Sequence, residues 1–299
     1  MSRDNEKSGL AWALLGVASF SLTFPALRFA LQGLPPTFVG TGRAVVAALC
    51  ASVLLLATRQ RLPQRRHWPA LARVAIGVVA GFSWLSAEAL VHLSAVQAGV
   101  MAALLPLVTA AAGAWRAGER PPRAFWIAAV LGSLGVIAYA AGRGGTLLGT
   151  GDWTLLAAVF FAAFGYAEGG RLARELGGWQ VISWALVFAA PLLLIPAVLN
   201  WPRHAAPWSA WTGFLYLALV SQWLGFFAWY RGMALAGVAR TSQVQLLQVF
   251  FTLMAAWALL GEPVAWSTWL FALWVVAAVA VGRSVAGRRA PAGEPRSGA

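Results

Sequence analysis

The chain has 299 residues, of which 60% are hydrophobic and only 10% are charged, and its mean hydropathy is +0.72. A soluble domain carries about 25% charged residues, so this composition excludes a water-soluble globule and indicates a protein embedded in a membrane. The single cysteine excludes an internal disulfide, and the net charge of +13 raises the question of a nucleic-acid partner.

Ten apolar segments follow one another along the chain, each about as long as the roughly 20 residues that cross a bilayer as a helix. Their residues are mainly Leu, Ala, Val, Trp and Phe without polar alternation, which favours helices over a membrane β-barrel. The connections are too short for a soluble domain. We therefore predict an all-α integral membrane protein with spans 1 to 10 at 9–31, 36–57, 70–93, 97–115, 124–141, 152–171, 179–199, 209–230, 239–260 and 264–283.

The cations are distributed unevenly between the connections. With a cytoplasmic amino terminus, 18 of the 22 Lys and Arg residues fall on the cytoplasmic side. Arg143 and Arg203 fall in the opposite connections, and Arg28 and Arg43 lie inside spans. Cytoplasmic connections are enriched in Lys and Arg, so both termini are predicted to be cytoplasmic. The positive charge then serves topology and contact with anionic lipid, and no nucleic-acid partner is expected.

The chain repeats itself weakly at a spacing of about 142 residues. Leu104-Leu105 in span 4 corresponds to Leu246-Leu247 in span 9. After one inserted residue, Gly118-Glu119 corresponds to Gly261-Glu262. Chance similarity between apolar helices is the alternative, but two matches at equivalent places favour a duplication.

Each half of the chain contains five spans, and an odd number requires the second copy to enter the membrane from the opposite side. Inverted repeats of this kind are typical of transporters, with the substrate site near the midplane between the repeats. We predict a first five-helix repeat at 8–145, a second at 146–285 and a disordered cytoplasmic tail at 286–299.

The span 4 and span 9 pair that ends in Gly-Glu, together with two five-span halves, resembles the EamA-type members of the drug/metabolite transporter superfamily. The resemblance covers roughly residues 8–285. Within that group the chain is most similar to the YddG-type exporters of aromatic amino acids. The resemblance implies a ten-span transporter of the bacterial inner membrane with a central cavity between its halves.

A polar stripe on span 9 is the first candidate for a substrate wall. Its residues recur at spacings of four, three and four, which places them on one face of a helix. The corresponding positions of span 4 are small or proline residues, so the two stripes suit opposite walls of a cavity. Close helix packing with bridging glutamines is the alternative. The stripe consists of Thr241, Gln245, Gln248 and Thr252, and its counterparts are Gly99, Ala103, Pro106 and Ala110.

Aromatic residues deep within the spans form a second candidate group. An aromatic pocket with few polar groups binds flat substrates through buried area and ring contacts. Contact with lipid is the alternative for each ring. The candidates are Phe20 and Phe24 in span 1, Trp84 with Glu88 in span 3, Phe164 in span 6, and Trp223, Phe227 and Tyr230 in span 8, with the flexible Met101 of span 4 beside them.

Charged residues within the spans are few, and a lone charge in hydrocarbon costs at least about 2.5–3.5 kcal/mol. Arg28, Arg43 and Glu88 have similar predicted depths, so we expect an ion pair among them that locks spans 1 to 3. Glu88 as a proton carrier, or an arginine as the partner of a substrate carboxylate, is the functional alternative. Glu168 is expected to pair with Arg171 near the end of span 6.

Catalytic and metal-binding patterns are scarce. His67, His92 and His204 have no partner at metal-ligand spacing, and neither a phosphate-binding loop nor a nucleophile elbow is present. We therefore predict a monomeric secondary transporter that needs no cofactor and exports small metabolites, foremost aromatic and neutral amino acids. Other metabolites or drugs, a channel, and an intramembrane enzyme are the alternatives.

Overall fold

The computed structural model describes residues 3–117, 149–237, 241 and 244–287, together with single positions between 123 and 139. Every regular element in that part is helical. Most of span 5, the Gly118-Glu119 pair and nearly all of the predicted tail lie outside the described residues. Among the described residues, seven helices are long and apolar enough to cross a membrane, namely Lys7–Ala30, Pro36–Ala57, Arg65–Ala89, Ala95–Gly113, Thr150–Leu176, Gly178–Leu199 and Trp208–Ala236. They coincide with spans 1 to 4 and 6 to 8, while Leu247–Leu260 and Trp266–Gly287 occupy spans 9 and 10.

Span 1 is interrupted between the helices Arg3–Ser21 and Thr23–Ala30. Pro25 has no backbone N–H, so it cannot bond to the carbonyl of Ser21 four residues earlier. That carbonyl instead accepts a hydrogen bond from Thr252 Oγ1 at 2.9 Å. The proline therefore both bends span 1 and creates the acceptor that ties span 9 to the bend.

Spans 4 and 9 are interrupted at equivalent positions of the two halves. The helices Ala95–Met101 and Leu105–Ala117 are joined by a 3₁₀ turn at Ala102–Leu104. Pro106 has no N–H to donate to the Ala102 carbonyl, and Leu105 N donates to that carbonyl instead in a 3₁₀-type hydrogen bond. In span 9, Gln248 N bonds to Gln245 O at 3.0 Å just as the helix Leu247–Leu260 begins.

Spans 3 and 8 each contain a π-helical segment. One covers Ala75–Phe82, between the α-helices Trp68–Val74 and Ser83–Ala89. The other covers Tyr216–Leu224, between Trp208–Leu215 and Gly225–Ala236. The two segments are again about 142 residues apart, like the interruptions of spans 4 and 9.

Glycines mediate the closest helix contacts. A Cβ added to Gly9 of span 1 would lie 2.9 Å from Leu235 Cβ of span 8, and one on Gly151 of span 6 would lie 3.0 Å from Leu93 Cγ after span 3. Gly9 and Gly151 are 142 positions apart, and so are Leu93 and Leu235. The contact between spans 1 and 8 in this way corresponds to the contact between spans 6 and 3. Spans 2 and 7 pack on each other.

Candidate functional site

The polar stripe of span 9 contains side chains that are buried but have no protein partner among the described residues. Gln245 is 2% exposed, and neither its amide oxygen nor its amide nitrogen is hydrogen-bonded to a described residue. Within the same part of the chain, Thr241 Oγ1 and Gln248 Oε1 also have no partner. An unpaired buried polar group costs about 1–3 kcal/mol, so a native protein that keeps several on one face needs a reason such as a bound ligand or water.

The end of the stripe nearest the connection to span 10 is closed. Thr252 is buried and bonded to Ser21 O. A Cβ added to Gly99 would lie 2.9 Å from Thr252 Cγ2, so the small stripe of span 4 packs directly against span 9 at this level. The alternative of close packing therefore describes Thr252, whereas Gln245 lies seven residues earlier, in the interruption, without such a partner among the described residues.

A cluster of buried rings lies between spans 1, 6 and 8. The Phe20 ring centroid lies 4.8 Å from that of Phe226 and 6.1 Å from that of Trp229. Tyr166 of span 6 lies 5.6 Å from Trp229, and Phe226 lies 5.3 Å from Tyr230. Trp229 is fully buried, and its Nε1 has no partner among the described residues. We call Phe20, Tyr166, Phe226, Trp229 and Tyr230 the ring cluster.

Two of the predicted rings, Phe20 and Tyr230, belong to this ring cluster. The Tyr230 hydroxyl lies 3.4 Å from Gly165 O, and a Cβ on Gly169 would overlap the Tyr230 ring, so Tyr230 packs on the glycine face of span 6. Phe24 and Met101 are also buried in the protein interior, and Pro106 lies in the first turn of the helix that follows the interruption of span 4.

Three other predicted rings lie outside the ring cluster. Phe227 contacts Trp223 at 5.3 Å and Trp179 of span 7 at 6.2 Å. Trp223 Nε1 donates to Ser183 Oγ at 3.1 Å, which fixes this ring against span 7 as well. Phe164 instead contacts Trp115 of span 4 at 5.9 Å. The structure therefore does not bring the predicted rings into one pocket.

Trp84 and Glu88 form a small hydrogen-bonded group between spans 2 and 3. Glu88 Oε1 accepts from Thr37 Oγ1 at 2.7 Å and from Trp84 Nε1 at 3.1 Å. Both donors are neutral, so the carboxylate connects the two spans without a cation at hydrogen-bond distance. Trp84 is 37% exposed, which separates it from the buried ring cluster.

The predicted ion pair among Arg28, Arg43 and Glu88 is wrong. Arg28 Nε lies 3.8 Å from Glu262, a residue of the connection after span 9 that the prediction did not consider. Arg43 Nη2 donates to Ser83 O at 2.9 Å. Similar depth in the membrane did not suffice, because each arginine donates to a backbone carbonyl instead and Glu88 accepts from two neutral side chains.

Arg43 belongs to a polar layer that crosses the bundle. The layer lies at the ends of the two π-helical segments, where Ser83 Oγ donates to Gln222 Oε1 at 2.6 Å. Thr23 Oγ1 and Ser221 Oγ are 2.7 Å apart and connect span 1 to span 8. Arg43 is fully buried, and its Nη2 donates to Ser83 O and Ser86 Oγ, while Nε and Nη1 have no partner among the described residues.

The expected pair of Glu168 with Arg171 is confirmed. Arg171 Nη2 lies 3.0 Å from Glu168 Oε1, and Arg73 Nη2 of span 3 lies 2.9 Å from the same oxygen. Glu168 is 3% exposed, so two arginines surround one buried carboxylate where spans 3 and 6 meet. This contact stabilises the pairing of the two helices.

Two cavities of about 480 and 350 Å³ lie around the connection between spans 9 and 10. Glu262 borders both of them. No residue of the polar stripe or of the predicted aromatic group lines either of these two cavities.

Sequence reasoning did not select Tyr166, Phe226 and Trp229 for the site. Helical spacing predicts which residues share a face but not which face meets another helix. The positions of glycines indicate which faces meet, because Gly16 packs against the Trp229 backbone and Gly225 packs against Phe20. A search for small residues at interfaces would have indicated the correct face of span 8.

Comparison with known proteins agrees with this architecture. Residues 7–140 and 149–282 each match the EamA-like transporter family. The chain belongs to the EamA-like transporter family. It is therefore a multi-pass membrane transporter for small molecules and not, by family, an enzyme. The predicted resemblance to EamA-type proteins is confirmed.

Two curated relatives of this EamA-like transporter span nearly its whole length. An uncharacterized transporter, YdeK, of Bacillus subtilis (strain 168) is 42% identical over 276 residues, covering 91% of this chain and 96% of that protein. A probable terminal-alkyne amino-acid exporter of Streptantibioticus cattleyicolor is 28% identical over 295 residues, covering 96% and 98%. A crystal structure of a protein with 20% identity has a TM-score of 0.66 over 95% of this chain and 99% of the other, which supports the fold alone.

Proposed function

We propose that this transporter exports small metabolites by secondary active transport, with aromatic and other neutral amino acids as its main substrates. The observation that carries the proposal is the buried and unpartnered amide of Gln245 in the interruption of span 9. An amide offers both a donor and an acceptor, which suits a substrate with an ammonium and a carboxylate. One relative is a probable amino-acid exporter, which supports the same substrate class.

The paired interruptions support a central site. Transporters with inverted repeats bind substrate where spanning helices are discontinuous, because the unwound backbone and helix ends offer free polar groups. Here the 3₁₀ turn Ala102–Leu104 and the turn at Gln245 occupy equivalent places in the two halves. We propose that Thr241, Gln245 and Gln248 bind the polar part of the substrate between these interruptions.

The ring cluster supports a preference for flat or apolar side chains. Phe20, Tyr166 and Trp229 belong to spans 1, 6 and 8, so a substrate between the halves would meet a ring from each. Burying an aromatic side chain among rings contributes both area and ring contacts of about 0.5–1.5 kcal/mol per pair. Trp229 Nε1 adds a donor.

The spacing of about 142 residues between corresponding contacts supports alternating access. We propose a monomer of the bacterial inner membrane with ten spans in two inverted halves and with both termini cytoplasmic. Contacts between span 1 and span 8 correspond to those between span 6 and span 3 through the same spacing. Two equivalent packings of nearly equal energy let the halves tilt around a fixed site.

Counterflow in proteoliposomes tests the proposal. Vesicles preloaded with unlabelled L-phenylalanine should take up labelled L-phenylalanine transiently, since a carrier exchanges substrate and a channel does not. Gln245→Ala should slow this exchange by about tenfold or more, because a hydrogen bond to a charged group is worth about 1.5–3 kcal/mol. Gln64→Ala, at an exposed glutamine, is the matched control and should exchange normally.

No counterflow with any neutral amino acid would contradict the proposed substrate class. Exchange at the wild-type rate in Gln245→Ala would contradict the proposed site. Linear uptake without counterflow would indicate a channel.

A further inference from the structure

A pair of opposite charges lies where the end of span 1, the start of span 4 and the connection between spans 9 and 10 meet. Arg28 Nε lies 3.8 Å from Glu262 Oε1, which is beyond hydrogen-bond distance. Arg28 Nη1 donates to Leu90 O at 3.2 Å, so a carbonyl orients one edge of the guanidinium. The two charges therefore face each other without being directly bonded.

The Glu262 carboxylate is held in place by the backbone. It accepts from Ala95 N at 3.1 Å and from Val96 N at 2.9 Å, one bond to each oxygen. Gly261 has φ +65°, a left-handed conformation that ends the span 9 helix and turns the following residue towards span 4. Because these hydrogen bonds already fix the Glu262 carboxylate, binding of a cation does not have to order this side chain.

Space for a ligand adjoins both charges. The cavity of about 350 Å³ is lined by Arg28, Glu262 and Gln32, with Leu31 and Leu260. The cavity of about 480 Å³ shares Glu262. Its wall combines polar groups with two rings whose centroids are 5.4 Å apart. The polar groups of this wall include Ser94, Gln97 and Thr268, and the two rings are those of Tyr139 and Phe271.

We propose that this place is a second substrate site for a zwitterionic α-amino acid, next to the ends of the spans. The carboxylate binds Arg28, the ammonium binds Glu262, and the side chain lies along Tyr139 and Phe271. An amino acid carries both charges on one carbon, so it binds both side chains at once when it enters between them. An amine or a carboxylic acid alone would separate Arg28 from Glu262 and bind only one of the two. The inference rests on the proposed amino-acid substrate and extends it to a site outside the spans' centre.

Protection of an introduced thiol tests the site. Gln32→Cys is made in a Cys50→Ala background, since Cys50 is the chain's only cysteine. The purified protein is placed in nanodiscs of phosphatidylglycerol, whose headgroup has no ammonium, so a lipid zwitterion cannot compete. Both faces are accessible there. L-phenylalanine at about ten times its Kd should slow maleimide alkylation about tenfold. Phenylethylamine and 3-phenylpropionate at the same concentration should protect far less.

Arg28→Gln and Glu262→Gln should each remove the protection. Arg28→Gln leaves the backbone bonds of Glu262 untouched, so it keeps the test valid if Glu262→Gln folds poorly. Arg203→Gln, at an exposed arginine outside both cavities, is the matched control and should keep full protection.

Equal protection by all three compounds, no protection at all, or full protection in Arg28→Gln would each overturn the inference. Counterflow separates it from the proposed function. Normal counterflow without thiol protection contradicts this second site only, whereas thiol protection without counterflow contradicts the proposed transport and leaves the site standing.

Discussion

Replacing Gln245 by methionine should stabilise the protein while it abolishes transport. The two residues are similar in volume, but methionine has no amide to leave unpaired. Both polar atoms of Gln245 lack a partner among the described residues, and the side chain is 2% exposed. Each unpaired buried group costs about 1–3 kcal/mol, so we expect a gain of about 2 kcal/mol.

The matched control is Gln222→Met, at another buried glutamine. Gln222 Oε1 accepts from Ser83 Oγ at 2.6 Å, but its Nε2 has no partner among the described residues, so methionine there removes one made hydrogen bond together with one unpaired group. These two effects oppose each other, so we expect a smaller gain in stability for this variant than for Gln245→Met. For a chain of this size 1 kcal/mol corresponds to about 2–4 °C, so the Tm of Gln245→Met should rise by about 4 °C or more and that of Gln222→Met should rise less or stay unchanged.

Thermal unfolding of both variants in one detergent, followed by intrinsic fluorescence, measures the shifts. Counterflow measures the loss of function in the same preparations. A fall in Tm for Gln245→Met would show that its amide is already paired in the folded protein. Wild-type counterflow in that variant would show that the amide does not contact substrate. Either result refutes the reasoning.

Three further predictions concern packing, charge and selectivity. Gly77→Ala should destabilise by about 1–3 kcal/mol, since a Cβ there lies 2.6 Å from a span 6 carbonyl. Gly113→Ala, whose Cβ would meet no atom of the described residues within 4 Å, should be neutral or stabilising, and Tm values compare the two variants. Glu168→Gln should lower Tm clearly, because it removes a buried partner of two arginines, while Glu175→Gln, at a half-exposed carboxylate, should change the free energy of unfolding by less than about 1 kcal/mol. Equal losses would contradict this. Tyr166→Leu should shift counterflow from aromatic towards aliphatic amino acids, and unchanged preference in competition assays would exclude the ring cluster from the substrate wall.

Span positions were predictable because bilayer thickness sets the length of an apolar helix. Pro36–Ala57 coincides with its predicted range. Of the prolines expected to interrupt spans, Pro25 and Pro106 lie at interruptions, whereas Pro191 and Pro196 lie inside the continuous helix Gly178–Leu199, so that expectation is wrong for span 7. The predicted end of span 6 at 171 falls short of the observed Thr150–Leu176, because charged residues continue the helix beyond the apolar stretch. Composition therefore indicates where a helix is apolar and not always where it ends.

The site was less predictable, since it depends on contacts between distant segments. The interruption at Gln245 has no proline to mark it, and nothing in the sequence of Ala75–Phe82 distinguishes a π-helix from an α-helix. The spacing that groups Trp223 with Tyr230 is α-helical, but Trp223 lies in a π-helical segment, where the number of residues per turn differs. Gln245 itself was found because a buried amide is unusual in an apolar span.

Access to position 245 from each side of the membrane tests the central claim most directly. Gln245→Cys in the Cys50→Ala background is exposed to a membrane-impermeant thiol reagent in right-side-out and in inside-out vesicles. Alternating access predicts labelling from both sides, slowed by substrate in each case. A thiol that reacts from one side only, or from neither, regardless of substrate, would contradict a site that opens in turn to each side.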